Sequence, residues 1–292
     1  MKCTLIVCVI ASIMLAGMSV GTSVQDSDNS EVAWQSRDDE HLIELFTVGG
    51  RPLNLDPDHK VKILVNHSYA VGYCEERRNP LWAVYRASEL KVGDEAERYE
   101  RSRFFARDLR VTPAIDGRTF GGGLDRGHMV PNAVIGSQYG SLAQLETFYM
   151  TNMCPQQDSL NRGPWMRLEK FIIDLAQDKE HIFVLAGPIF GDDPGVTAKG
   201  PERGIQVPEA YYMILVDAEN EFADKPTIKL IAYRFVQNTA QSADFKDRIL
   251  FGVSVNDIEA ETGLDFFPFY EELFTNWDAK EAEIEMTHWT IN

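Results

Sequence analysis

Apolar residues along this chain gather in short, dense runs divided by polar and acidic stretches, and each run predicts an element. After Met1-Lys2 comes an apolar run from Leu5 to Leu15, broken only by Ser12 and followed by the small residues Gly17, Ser19 and Gly21. That order of basic, apolar and small residues predicts a secretory signal peptide over 1–23, and the run is too short for a comfortable membrane span. Residues 24–40 carry Asp26, Asp28, Glu31, Asp38, Asp39 and Glu40 with little to bury, so an acidic flexible leader is expected there. The runs Tyr69 to Cys74 and Leu81 to Tyr85, parted by polar Glu75 to Pro80, read as a hairpin or meander. Glu89 to Arg103 is charged and expected at the surface. Ser141 to Tyr149 has helical composition, and Trp165, Leu168, Ile172 and Leu175 recur at helical spacing behind a start at Asn161-Arg162-Gly163-Pro164. His181 to Ala186, ending at Gly187-Pro188, reads as a buried strand, and Tyr211 to Val216 and Ile228 to Val236 add two more. Ser254 and Asp257 form a capping pair for a short helix that stops at Gly263. Strands with interspersed helices and no βαβ alternation predict an α+β fold with a mainly antiparallel sheet core and flanking helices. The expected domain spans 41–275, with an acidic C-terminal tail over 276–292.

Composition changes this picture in two places. The 292 residues are 44% hydrophobic and 25% charged, enough for one sizeable core. Net charge is −17, and removal of Lys2 with the signal makes the mature chain more acidic still. A polyanion is repelled by such a chain at long range, so nucleic-acid binding would depend on local arginines and lysines and on a divalent metal. Of four cysteines, Cys3 and Cys8 leave with the signal. Cys74 and Cys154 remain, and a disulfide or a pair of buried free thiols are both open.

Candidate chemistry concentrates in Asp125-Arg126-Gly127-His128-Met129, between Gly121-Gly122-Gly123 and Pro131. The segment reads as a flexible loop that sets a histidine suited to proton transfer beside an arginine suited to phosphate. A second polar cluster runs from Asn152 to Asn161, and Glu169 follows Asn161 by two helical turns, on roughly the same face. Phosphodiester hydrolysis needs a base for water, positive charge on the phosphoryl oxygens and help for the departing 3′ oxygen. One histidine and one divalent ion can meet all three. Each residue also has a plain reading. A lone loop histidine is usually structural, Asn152 could cap a turn, and Glu169 alone would be a solvated helix residue. Asp125 is expected to orient its segment by hydrogen bonding. Gly136-Ser137 lacks the later glycine of a nucleophile elbow, so a serine hydrolase gains no support. Asn66-His67-Ser68 is a glycosylation triplet.

Taken together, Asp125-Arg126-Gly127-His128, Asn152-x-x-Pro155-Gln156 and Leu160-Asn161-x-x-x-Trp165-x-x-Leu168-Glu169 resemble the signature of the DNA/RNA non-specific endonucleases, which are ββα-metal (His-Me finger) nucleases. The resemblance extends to Asn79-Pro80-Leu81-Trp82, Gly187-Pro188-Ile189-Phe190, Val207-Pro208 and Gly263 to Phe267, and so covers most of 65–270. It implies His128 as general base, Asn161 as the direct Mg²⁺ ligand with Mn²⁺ able to substitute, Glu169 as an outer carboxylate, and Arg126 and Asn152 as supporting residues. It implies DNA and RNA as substrates and products with 5′-phosphate and 3′-hydroxyl ends. Arg103 matches a phosphate-contacting arginine only loosely. Arg162 stands where family members often have glutamine and is a candidate further phosphate contact, Pro164 stands where alanine is frequent, and Cys154 where threonine or alanine is common. A catalytically silent module that binds nucleic acid or protein on the same scaffold is the alternative reading. Export to the periplasm or the medium is expected, and the sequence leaves monomer and homodimer open.

Overall fold

The computed structural model describes residues 42–89, 100–118, 120, 122–197, 204–220, 226–287 and 289. The expected signal peptide and acidic leader lie outside the described residues, as does most of the charged stretch 89–103. The strands in chain order are β1 (Leu53–Asn54), β2 (Lys62–Val65), β3 (Tyr69–Cys74), β4 (Asn79–Ser88), β5 (Leu124–His128), β6 (Met153–Gln157), β7 (His181–Ile189), β8 (Ala210–Glu219), β9 (Thr227–Val236), β10 (Gly252–Val253) and β11 (Leu264–Asp265). Seven of them form one sheet in the order β10-β9-β8-β7-β4-β3-β2, with every neighbour antiparallel. The α+β expectation with an antiparallel core therefore holds.

Two strands run further than their composition suggests. Asn79 and Pro80 belong to β4 rather than to the connection, and Pro80 falls where the β3–β4 register shifts. β7 continues through Gly187 and Pro188 to Ile189. Beyond Ala186 its only ladder partner is β8, so Pro188 can lack an N–H on the other side.

The sheet is buried on both faces, which explains why its strands read as continuous apolar runs rather than alternating ones. Side chains still alternate. Tyr211, Met213 and Leu215 of β8 point into one core, Tyr212, Ile214 and Val216 into the other. The first core is closed by helices α1 (Asn132–Tyr139), α2 (Ser141–Glu146) and α3 (Met166–Lys179), the last through Leu168, Ile172, Leu175 and Ala176. Covering the second core are α4 (Val255–Thr262), α5 (Pro268–Leu273) and α6 (Trp277–Glu281). The Ser254–Asp257 capping box opens α4, and Gly263, at φ 68°, ends it.

The stretch after 275, expected as an acidic tail, is therefore part of the packed body at least through α6. Trp277 is buried against Phe267 and Tyr270, and a chain cut at 275 would lose that aromatic contact. The cysteines are settled by the same two-faced arrangement. Cys154 lies in the first core and Cys74 in the second, and both are buried free thiols. Burial raises the Cys74 thiol to about 11 and Cys154 well above its usual value, so both stay protonated. The triplet asparagine Asn66 is buried too, its Oδ1 accepting from Arg110 at 2.9 Å, which leaves little access for a glycan.

Candidate active site

Asp125 to His128, expected as a flexible loop, instead makes up all of β5 but its first residue, paired antiparallel with β6 so that Asp125 faces Gln156 and His128 faces Met153. The glycine inside it serves close packing. A Cβ on Gly127 would lie 2.3 Å from Oε1 of Gln156, so no larger residue fits without displacing that buried side chain. β6 is in turn pinned to the main sheet. The Pro155 carbonyl accepts from the Tyr211 hydroxyl at 2.8 Å and from Nε2 of Gln237 at 2.9 Å.

His128 closes β5 and is only 8% exposed. Its ring stands between Phe148, edge-on at 5.2 Å, and Phe105, tilted at 5.8 Å. Each phenyl ring is faced by an arginine: Arg126 lies 3.8 Å over Phe105, and Arg101 lies 5.5 Å over Phe148. Burial, then the charges of Arg101 and Arg126, bring the His128 imidazole down to about 3. It is therefore neutral at physiological pH, and its buried Nε2 has no hydrogen-bond partner.

Asn152, fully buried, makes no contact that would reach a substrate. Its Oδ1 accepts from the Val130 N–H at 2.9 Å, and its Nδ2 donates to the carbonyls of Val130 at 3.0 Å and Thr147 at 2.9 Å. It ties the backbone leaving His128 to the end of α2, a positioning role.

Asn161 and Glu169 do not share one regular helix. Between them Gly163 leaves helical geometry at φ −108°, ψ −120°, and Pro164 offers no N–H. A Cβ at Gly163 would sit 2.8 Å from the Gln241 backbone, so the break follows from close chain approach. Asn161 instead takes its orientation from β5, its Nδ2 donating to Asp125 at 2.9 Å. Arg162 holds the same carboxylate through Nε at 2.8 Å and Nη2 at 2.6 Å. Burial acts to raise the Asp125 carboxyl, but these bonds and the nearby Arg126 outweigh it and the group stays below its usual value. With its nitrogen committed to Asp125, Asn161 has its amide oxygen at the other end, a hard neutral ligand of the kind Mg²⁺ accepts. Arg162 is exposed and engaged with Asp125, so a phosphate would compete with that pair.

Glu169 stands in the first turn of α3, partly buried. Burial lifts its carboxyl to about 8, against the lowering influence of the Trp165 indole and of Arg101. The same indole N–H reaches the His128 carbonyl at 3.3 Å. Trp165 and Arg101 thus link Glu169 with His128, as Asp125 links β5 with Asn161.

Of the arginines expected at phosphate, Arg126 lies at the site, its Nη1 donating to the Gly117 carbonyl at 2.5 Å. Arg103 is exposed, and none of the described contacts ties it to these residues. Arg101, two residues earlier, is the one that acts on both His128 and Glu169. Nothing in the sequence singles it out, nor Phe105 and Phe148, because a stack of five side chains from three segments has no linear signature.

A strand pair bearing a histidine, followed by a helix bearing a carboxylate, is the ββα arrangement of a nuclease. The family can be named as well: this chain belongs to the DNA/RNA non-specific endonucleases, whose family model matches residues 54–271. It is 29% identical over 212 residues to the mitochondrial nuclease EXOG of Homo sapiens, covering 69% of this chain and 55% of that one. It is 28% identical over 234 residues to a nuclease of Nostoc sp., covering 77% and 80%, and 28% identical over 217 residues to a nuclease of Serratia marcescens, covering 69% and 73%. The chain thus spans little more than half the length of the human relative. A crystal structure of the EndoG/EndoGI complex shares the fold, with a TM-score of 0.63 at 20% identity over 81% of this chain and 94% of that one.

Proposed function

We propose that this protein is an exported, Mg²⁺-dependent endonuclease that hydrolyses DNA and RNA with little sequence preference, leaving 5′-phosphate and 3′-hydroxyl ends. The observation that carries the reading is the neutral His128 imidazole held between two arginine-capped phenyl rings, with Asn161 and Glu169 tied to the same framework. Asn161 would hold the metal through Oδ1 and Glu169 would hold waters around it. When bound, Mg²⁺ supplies Lewis-acid polarisation of the phosphoryl oxygens and offsets developing negative charge.

His128 takes a proton from the attacking water, the new P–O bond forms as the bond to the 3′ oxygen breaks, and a neighbouring water gives a proton to the departing 3′ oxygen to leave the 3′-hydroxyl. An imidazole near 3 is a weak base, held down first by burial and then by the charges of Arg101 and Arg126. Phosphates arriving beside the two arginines neutralise the second of these causes, so the basicity of His128 rises when a polyanion is bound. The same local arginines supply the attraction that the net charge of −17 opposes.

Purified protein incubated with plasmid and with RNA, with and without chelator, tests the reading. Metal-dependent cleavage of both is expected, and no cleavage of either polymer would end it. The acidity of the chain keeps one other reading in view, a silent binding module, and retention of nucleic acid without cleavage would select it. Export is tested by the N-terminus of protein recovered outside the cytoplasm, expected near residues 22–24 of the numbering used here.

A further inference from the structure

A second group of ionisable side chains lies away from the nuclease site, on the other face of the sheet. Glu271 comes from α5, while Asp278 and Glu281, three residues apart on one side of α6, come from the next helix. One carboxylate oxygen of each lies within 4.8 Å of the other two. None of the described ion pairs involves these three residues, so no arginine or lysine bridges them among the described contacts. Acidic groups commonly cluster at surfaces, but one member here is not at the surface. Glu281 is 2% exposed, and its Oε1 is buried with no hydrogen-bond partner. A buried carboxylate grouped with two more carboxylates is costly to ionise unless a cation binds there, and without one it keeps its proton.

We propose that Glu271, Asp278 and Glu281 form a second, non-catalytic site for a hard divalent cation, calcium by size and ligand chemistry, which ties α5 to α6. Calcium takes six to eight oxygens at about 2.3–2.6 Å, so two ligands on opposite sides of one ion stand roughly 4.6–5.2 Å apart. The three carboxylate oxygens, none more than 4.8 Å from another, lie close enough together to share one such ion. Two of the three are exposed, which leaves water free to complete the shell, and Glu281 supplies the buried anchor from below. Magnesium prefers to keep most of its waters and to take one or two carboxylates, so it is the weaker fit. The ion would lock the Trp277, Tyr270 and Phe267 cluster that α5 and α6 press onto the sheet. The assignment does not depend on the nuclease reading, since it uses none of the residues around His128.

The test uses the full chain carrying Asn161→Ala, so that the nuclease site contributes little to metal binding, after treatment with chelator. Calcium chloride is titrated by calorimetry, and the thermal midpoint is recorded with and without it. One calcium is expected to bind, raising Tm by about 5 °C or more at a concentration a hundredfold above Kd. Adding Glu271→Gln with Asp278→Asn, both exposed and tolerant of change, is expected to abolish binding and the shift together. Glu281→Gln should do the same from the buried side. In the otherwise wild-type chain, the Glu271→Gln/Asp278→Asn pair should cleave plasmid in magnesium as fast as wild type. A calcium shift that survives the paired substitution, or no shift in the parent, overturns the proposal. So does a parallel loss of cleavage, which would place these carboxylates in the nuclease machinery.

Discussion

Glu169 and Glu281 sit on opposite faces of one sheet, and burial lifts both carboxyls to about 8. Their neighbours differ in sign. Glu169 looks toward Arg101 and the Trp165 indole, both of which favour its anion. After burial, the main influence on Glu281 is repulsion by Glu259, joined by Glu271 and Asp265 and eased only by the Trp277 indole. The first face gathers positive charge around a neutral histidine and suits an incoming anion. The second gathers negative charge around a buried acid and suits a cation. Burial alone marks neither site. The charge of what surrounds the buried group decides what each could bind.

The comparison is broken most sharply at His128. His128→Ala is expected to lower turnover by about 10²–10⁴-fold, as for loss of a general base, with far-UV circular dichroism unchanged. Near-wild-type cleavage would remove His128 from that role. Next in size is Trp277→Ala on the other face, expected to cost about 3–5 kcal/mol in denaturant unfolding while leaving cleavage per folded molecule unaltered. A loss of activity at unchanged stability would join the two faces functionally and undo the contrast.

Asp125→Ala comes third. Without that carboxylate Asn161 loses the bond that orients it, so the Mg²⁺ concentration for half-maximal cleavage should rise by about 10–100-fold. An unchanged magnesium requirement would show that Asn161 needs no such support. Ser254→Ala, which removes the capping box of α4, should cost only about 1 kcal/mol in thermal unfolding and nothing in cleavage.

The last test is the pH dependence of stability in chelator, where opposing groups overlap below pH 6.5. His128 falls from 6.5 to about 3 in the folded state, so its contribution is complete above pH 6.5 and is lost as pH drops through the interval below. Glu169 and Glu281 rise from 4.5 to about 8, so theirs is complete below pH 4.5 and is lost as pH climbs toward 8. Between pH 4.5 and 6.5 these slopes oppose one another. Above 6.5 only the carboxyls remain, and Tm should decline toward pH 8. Glu169→Gln and Glu281→Gln should each remove part of that decline. A slope untouched by both would mean that neither acid is held neutral by the fold.

Much was legible in the residues themselves. The strands from Tyr69, Leu81, His181, Tyr211 and Ile228 were readable because a sheet covered on both faces demands unbroken apolar runs. The helix through Trp165 and Leu175 was readable from its spacing, and α4 from its capping pair. His128, Asn161 and Glu169 could be picked out because the motifs that carry them resemble a family signature, and they fall inside the matched range 54–271.

Relations between distant segments were beyond that reach. That Asp125 to His128 is a strand depends on β6, which begins 25 residues after His128. Composition near the triple glycine pointed to a loop, and long-range pairing overrode it. The Arg126–Phe105–His128–Phe148–Arg101 stack, the free state of Cys74 and Cys154, and the meeting of Glu271 with Glu281 were likewise decided by packing. A sequence carries local propensity and the order of its side chains. The sign of the charge around a buried group is set only when the fold chooses its neighbours.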